Sequence, residues 1–189
     1  MKAKVGFAIC GSFCTFNKIF SVIEDLVNDD YDIYPIMSLN ACSTDTRFGE
    51  AKEHIKKLEN LCNKQIITKI TEAEPIGPQK LVDILVIAPC TGNTLGKLAS
   101  GIADTTVTMA AKSHLRNQRP VLIGVSTNDG LSASAKNIGM LLNQKNIFFI
   151  PMGQDDYLNK PCSIVADFTK TKLAITQALN YKQIQPILL

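Results

Sequence analysis

Three short segments of this 189-residue chain gather small, hydroxyl, thiol and amide side chains. They are Gly11-Ser12-Phe13-Cys14-Thr15, Pro89-Cys90-Thr91-Gly92-Asn93-Thr94 and Ser126-Thr127-Asn128-Asp129-Gly130. Each precedes a stretch with helical periodicity. The first N–H groups of a helix lack intrahelical acceptors and carry positive partial charge. Together with Ser, Thr and Asn side chains they suit a phosphate or a polar heteroaromatic ring. For any one loop, helix capping explains the same residues, because Ser, Thr and Asn are ordinary N-caps. Three such loops on one sheet edge favour a binding site. A fourth polar loop, Asn40 to Gly49, contains Thr46 and Arg47. The first loop is not GxGxxG and no GxxxxGK[ST] occurs, which disfavours a standard dinucleotide fingerprint and nucleoside triphosphate binding. No GxSxG elbow supports a hydrolase.

Other groups with chemical potential read more simply. The six cysteines, at 10, 14, 42, 62, 90 and 162, form no CxxC, and His54 and His114 lie far from any cysteine pair. No metal site is therefore expected, and the cysteines read as reduced thiols. Cys90 stands at a helix start, where thiol pKa values fall; the favoured reading is a small residue that lets a ring approach. His54, within EAKEHIKKLEN, reads as a solvated helix position. His114 lies near Arg116 and Arg119, at a helix C-terminus enriched in cations, a cluster that an anion would also suit.

The elements that must position these loops alternate. Val5–Cys10, Ile33–Leu39, Asp83–Ala88, Pro120–Val125 and Asn146–Ile150 read as strands, with a weaker one at Gln65–Ile70. Pro35 points to an edge or irregular position. Helical patterns run through Phe16–Val27, Ala51–Cys62, Leu95–Ile102 and Leu131–Leu142. A polar surface loop is expected at 151–166 and a terminal helix at about 167–180. The alternation predicts one α/β domain over 1–189: a Rossmann-like, flavodoxin-like parallel sheet with helices on both faces, a three-layer sandwich. Such sheets bind ligands outside the carboxyl ends of their strands, where the four loops fall.

Composition agrees with a cored globular protein: 46% hydrophobic, 20% charged, net charge +3 with the signs interleaved. This excludes intrinsic disorder and argues against a nucleic-acid partner. The N-terminal apolar run is too short for a secretory segment, and no stretch approaches the roughly 18 apolar residues of a membrane span. A soluble, cytoplasmic protein is the expectation.

The segment Ile87-Ala88-Pro89-Cys90-Thr91-Gly92-Asn93-Thr94, followed by Leu98-Ala99-Ser100-Gly101-Ile102-Ala103-Asp104, resembles the PASANT-type motif and following helix of the FMN-binding flavoproteins. That family includes the cysteine decarboxylases of coenzyme A and lantibiotic biosynthesis and the flavin prenyltransferases. Pro89, Asn93 and Thr94 match the motif, while Cys90, Thr91 and Gly92 vary its small residues. Gly11-Ser12 resembles the family's first flavin-contacting loop and Ser38 its phosphate-binding serine. The resemblance covers roughly residues 3–150.

It implies FMN held by Gly11, Ser12, Phe13, Ser38, Asn40, Thr46, Pro89, Cys90, Thr91, Asn93, Thr94, Ser126 and Asn128. The decarboxylase histidine before the PASANT strand is absent. Of the PxMNxxM motif only an asparagine, Asn128, is retained, so cysteine decarboxylation is not expected. The combination of EAEPIGP, IAPCTGNTLGKLA, STNDGLSASAKNIGMLL and PMGQDD resembles one member of the family in particular, from spore-forming bacteria, that makes a pyridine dicarboxylate with a dehydrogenase-like partner. That likeness implies a small dicarboxylate substrate, with Arg47 and Arg116 as candidate contacts, a two-electron oxidation and a homo-oligomer, a trimer or a multiple of it. No residue is an evident general base; Asn93 is the leading candidate for a direct part in turnover. A flavin-binding or stabilising subunit without catalysis, and a stand-alone flavin-dependent lyase or transferase, remain as alternatives.

Overall fold

The computed structural model describes residues 2–189; Met1, the first residue of the expected domain, lies outside the described residues. In chain order the elements are β1 (Lys4–Ile9), α1 (Phe16–Asn28), β2 (Asp32–Met37), α2 (Leu39–Ser43), α3 (Ala51–Cys62), α4 (Ile70–Ala73), β3 (Ile84–Cys90), α5 (Gly92–Ala99), α6 (Thr106–Leu115), β4 (Val121–Thr127), α7 (Ala135–Leu142), β5 (Ile147–Phe149), β6 (Met152–Gly153), β7 (Ile164–Ala166) and α8 (Thr171–Leu179). The sheet order is β2-β1-β3-β4-β7-β6, with β5 also paired to β4.

β1 to β5 run parallel, as the uninterrupted apolar runs predict. All seven residues of β3 are buried, because helices cover both faces. α1 and α8 pack on one face; α4, α5, α6 and α7 lie together on the other, and α3 packs on β2, α1 and α2. α1 shows why its sequence is helical: Phe16, Ile19, Phe20, Ile23 and Leu26 fall on one buried stripe. β2 is the edge strand that Pro35 pointed to.

The structure corrects several expectations. Residues 65–70 are not a strand: only Ile67 bridges to Ile36, and Ile70 already begins α4. The loop from Asn40 contains α2. The 151–166 segment is not simply a surface loop, since β6 and β7 pair antiparallel there, and β7 pairs antiparallel with β4. The sheet is thus mixed at this end. β4 divides its pairing, Val121–Ile123 with β5 and Ser126–Thr127 with β7. α6 is a separate helix of which the sequence shows only the cation-rich C-terminal end; seven of its residues are buried, leaving no polar face to betray its period.

Proline also shapes the site-bearing strand. The β3–β4 register slips between Ile87 and Cys90, where Pro89 has no N–H to give to the ladder. Its carbonyl instead accepts from Cys10 N–H at 3.1 Å, so the ends of β1 and β3 stay joined.

Candidate functional site

The carboxyl ends of β1, β2, β3 and β4 bring the four loops together. Ser12 and Ser126, far apart in sequence, share a hydrogen bond between their hydroxyls at 2.8 Å. Thr15 Oγ1 donates to the Ser12 carbonyl at 2.8 Å and fixes the first loop from below. Thr94 Oγ1 donates to Cys10 Sγ at 3.3 Å, tying α5 to the end of β1. Gly11 faces α2: a side-chain carbon built there would lie 3.7 Å from Asn40 Cβ.

The start of α5 is a tight contact. A Cβ on Gly92 would stand 2.6 Å from Ser134 Oγ, 2.7 Å from Asp129 Oδ1 and 2.8 Å from Thr127 Oγ1. Only glycine lets the β4 loop close against this helix. Thr127 Oγ1 donates to Asp129 Oδ1 at 2.5 Å, and the Asp129 carbonyl accepts from the N–H groups of Ser132 and Ser134. Thr91 caps α5: its hydroxyl accepts from Thr94 N–H and its carbonyl from Leu95 N–H. The N–H groups of Gly92 and Asn93 are left as outward donors. Asn93, Asn40 and Asn128 are exposed around them.

Ser38 is the N-cap of α2, its hydroxyl accepting from Ala41 N–H at 3.3 Å while its own N–H donates to the Ile9 carbonyl. The capping explanation therefore holds for Ser38 and Thr91. A capped helix start still presents its remaining N–H groups.

Not every predicted residue joins this edge as expected. Pro89 and Cys90 are buried, Cys90 at 0% exposure; Cys90 lies under the loop surface against Cys10, so it is not a wall that a ring approaches. Thr46 and Arg47 belong to a tight turn closed by reciprocal backbone bonds between Thr46 and Gly49. There Thr46 Oγ1 accepts from Phe48 N–H, and the Arg47 guanidinium stacks 4.9 Å from the Phe48 ring centre. Arg116 is removed from the site: it ends α6, which leads into the opposite end of β4, and pairs with Glu74 at 3.5 Å.

The two histidine expectations fare differently. His54 is 6% exposed, its ring centre 5.1 Å from Phe16 and 5.5 Å from Phe20. Gly49, at φ 131°, passes over it so closely that a Cβ would lie 2.7 Å from His54 Cε1. Burial lowers the His54 pKa. His114 lies in the last turn of α6, the expected cation-enriched helix end, and is fully buried rather than part of an anion site. Burial, and then the charge of Arg119, hold its pKa down to about 4. His54 thus packs beneath Gly49 at the far end of the Asn40 loop, while His114 sits in the last turn of α6.

Sequence reasoning missed Cys10 as part of this cluster, and named Thr15 and Asp129 only as members of their loops. Cys10 reads as the last residue of a strand and Asp129 as one residue of a polar loop, and only the fold sets them beside Thr94 and Gly92. Among the described residues there is no group of three His, Cys, Asp or Glu side chains that could hold a metal. None of their helices is long and apolar enough to cross a membrane.

A doubly wound sheet whose carboxyl edge carries four donor-rich loops defines a nucleotide- or cofactor-binding α/β protein. The chain belongs to the Flavoprotein family, whose model matches residues 1–182. Within that family it is similar to the second (B) subunit of dipicolinate synthase from Bacillus subtilis, 47% identical over 185 residues, 98% of this chain and 92% of that protein. The crystal structure of the same dipicolinate synthase component from Bacillus halodurans superposes with a TM-score of 0.91 at 40% identity, covering 100% of this chain and 96% of that one. A dodecameric FMN-dependent UbiX-like decarboxylase from Escherichia coli O157:H7 shares the fold, with a TM-score of 0.63 at 19% identity over 78% of this chain and 79% of its own.

Proposed function

We propose that this chain is the flavin-binding component of dipicolinate synthase, a two-component enzyme that forms dipicolinic acid, with FMN as its cofactor and a hydroxytetrahydrodipicolinate or dihydrodipicolinate as its substrate. The observation that carries the reading is the convergence of the four loops, locked by the Ser12–Ser126 hydrogen bond, in a homologue 47% identical to a dipicolinate synthase component. The donor set fits the group. Outward N–H groups of Gly92 and Asn93, and the amides of Asn40, Asn93 and Asn128, suit a phosphate and the polar edge of a ring. The acidic groups nearby are engaged, Asp129 by Thr127 and Asp45 by the Ala51 N–H.

In this reading Gly11, Ser12, Phe13, Ser38 and Asn40 hold one part of the cofactor. Pro89 shapes the third loop behind it, while Thr91, Asn93, Thr94, Ser126 and Asn128 hold the other part. A bound flavin supplies a two-electron hydride acceptor. Asn93, exposed in the first turn of α5, would hold the bound flavin through its side-chain amide. Arg47, exposed on its turn, offers a cation to a dicarboxylate. Both histidines are buried and Asp129 is hydrogen-bonded, so the proton leaves to water, to substrate or to the partner. The partner is the first (A) subunit of dipicolinate synthase, which is dehydrogenase-like. The assembly is a homo-oligomer (a trimer or a multiple), and the location the mother-cell cytoplasm of a sporulating bacterium. The dodecameric relative supports the oligomer.

The test is a visible spectrum and FMN titration of the purified chain, alone and with the dehydrogenase-like partner. Saturable binding with a flavin band that bleaches on adding substrate is the expected result. No binding at near-millimolar FMN in either case refutes the flavin assignment. Asn93→Ala should abolish turnover with the complex still assembled; retained activity without bound flavin refutes the catalytic role.

A further inference from the structure

Beneath the loops lies a pair of thiols that the proposed function does not use. Cys10 directly follows β1 and Cys90 ends β3, the neighbour of β1 in the sheet. Both are buried, at 1% and 0% exposure. The Cys10 N–H donates to the Pro89 carbonyl at 3.1 Å, which sets the two residues side by side across the strand pair. Neighbouring strands run about 4.8 Å apart, inside the roughly 4.4–6.8 Å between Cα atoms that a disulfide spans.

We propose that Cys10 and Cys90 form a dithiol–disulfide couple in the floor of the loop cluster, with Cys10 as the attacking sulfur and a peroxide as the oxidant. The couple stands apart from the flavin reading.

The geometry gives the two sulfurs different roles. Cys10 Sγ accepts from Thr94 Oγ1 at 3.3 Å, whereas the Cys90 thiol donates to the Thr91 carbonyl at 3.9 Å. The neighbouring Cys90 thiol, then Thr94 and the Thr91 backbone, favour the Cys10 thiolate against its burial and lower its pKa. Burial, and the neighbouring Cys10, push the Cys90 thiol well above its ordinary value. One sulfur is thus prepared as a nucleophile and the other is kept protonated beside it.

The reaction balances with hydrogen peroxide. The Cys10 thiolate attacks one peroxide oxygen, the O–O bond breaks, and a sulfenic acid and hydroxide form. The Cys90 sulfur then attacks the Cys10 sulfur, and the sulfenic oxygen leaves as water. The S–S bond forms, two S–H bonds are lost, and the two electrons end in two molecules of water. Peroxide is little larger than water, which suits a buried pair. The other four cysteines are Cys14, Cys42, Cys62 and Cys162. None has this arrangement: Cys62, for instance, is simply raised to about 12 by burial.

The experiment treats the folded full-length chain with hydrogen peroxide, alkylates remaining thiols under denaturing conditions and maps the peptides by mass spectrometry. Trypsin leaves Cys10 in the peptide 5–18 and Cys90 in 81–97. In a Cys14→Ser chain, a species joining these two peptides reports only the Cys10–Cys90 bond. Dithiothreitol should reverse it. In the unsubstituted chain, chymotrypsin cutting after Phe13 separates Cys10 from Cys14, so the result does not depend on a variant that folds. With Cys90→Ala, dimedone should label Cys10; with Cys10→Ala, it should leave Cys90 unlabelled. Recovery of both cysteines singly alkylated, at a peroxide dose that oxidises the exposed Cys14, overturns the couple. Labelling of Cys90 but not Cys10 overturns the assigned roles. The mapping is read without any flavin, so failure of FMN binding leaves it unaffected.

Discussion

Gly92→Ala adds one carbon at the point where α5 meets the β4 loop. That carbon would lie within 3.0 Å of three polar atoms, Ser134 Oγ, Asp129 Oδ1 and Thr127 Oγ1. No single side-chain rotation relieves all three, because Thr127 and Asp129 hold each other at 2.5 Å and the Asp129 backbone anchors Ser132 and Ser134. Overpacking of this kind costs about 1–3 kcal/mol. The better helix propensity of alanine returns at most about 1 kcal/mol, and less at the first position of a helix. The net expectation is a loss of about 1–2 kcal/mol. For a chain of this length that lowers Tm by about 2–8 °C. Gly139→Ala is the matched control: it lies within α7, and nothing stands within 4 Å of its added carbon. It should gain up to about 1 kcal/mol. Urea unfolding followed by circular dichroism measures both. If Gly92→Ala is as stable as Gly139→Ala, the close approach of α5 to the β4 loop is not what requires glycine.

Three further outcomes follow from single contacts. Ser12→Ala leaves the buried Ser126 hydroxyl without its 2.8 Å partner. It should cost about 1 kcal/mol, and a double-mutant cycle with Ser126→Ala should show coupling; additive losses would refute the link between the loops. His114 has its folded pKa held at about 4, below the ordinary 6.5. The unfolded chain therefore binds the extra proton first. Stability is full above pH 6.5 and falls as the pH drops towards about 4, by about 3 kcal/mol in total. His114→Leu should flatten that part of the profile, and an unchanged slope in urea melts between pH 7 and 4 would contradict the burial argument. Gln183 pairs its side-chain amide with both the N–H and the carbonyl of Phe149, at 2.8 and 2.7 Å. Gln183→Ala should cost about 1–3 kcal/mol and speed hydrogen exchange at the Phe149 amide, which mass spectrometry resolves.

The parallel core is legible because β3 is buried on both faces and so reads as one unbroken apolar run. α1 is legible for the opposite reason, a stripe against a polar face. α6 is not, since burial all around erases the period on which a reading depends. His54 shows a signal that is present but outweighed. Ala51, His54, Leu58 and Cys62 form the buried stripe of α3, while the charges beside His54 in sequence lie on the other faces of the turn. Arg116 is misplaced for want of direction: a helix following a strand runs back, so its C-terminus lies at the end of the sheet away from the loops. The loops themselves are found from their residue types. Their mutual contacts, Ser12 with Ser126 and Thr94 with Cys10, join residues 114 and 84 positions apart, and no local pattern encodes such distances.

The divided pairing of β4 has a consequence for the order in which the molecule is made. Ser126 and Thr127 take their sheet neighbours from Val165 and Ile164, and the Leu131 N–H donates to the Cys162 carbonyl. A chain emerging from the ribosome from its N-terminus has its first four parallel strands in hand long before residue 164 is available. Until then the carboxyl end of β4 is an open strand edge, the kind that invites pairing with another chain. The loop that closes against α5 is therefore completed last, by the returning hairpin, and newborn chains are most open to mispairing at the very edge where the mature protein gathers its donors.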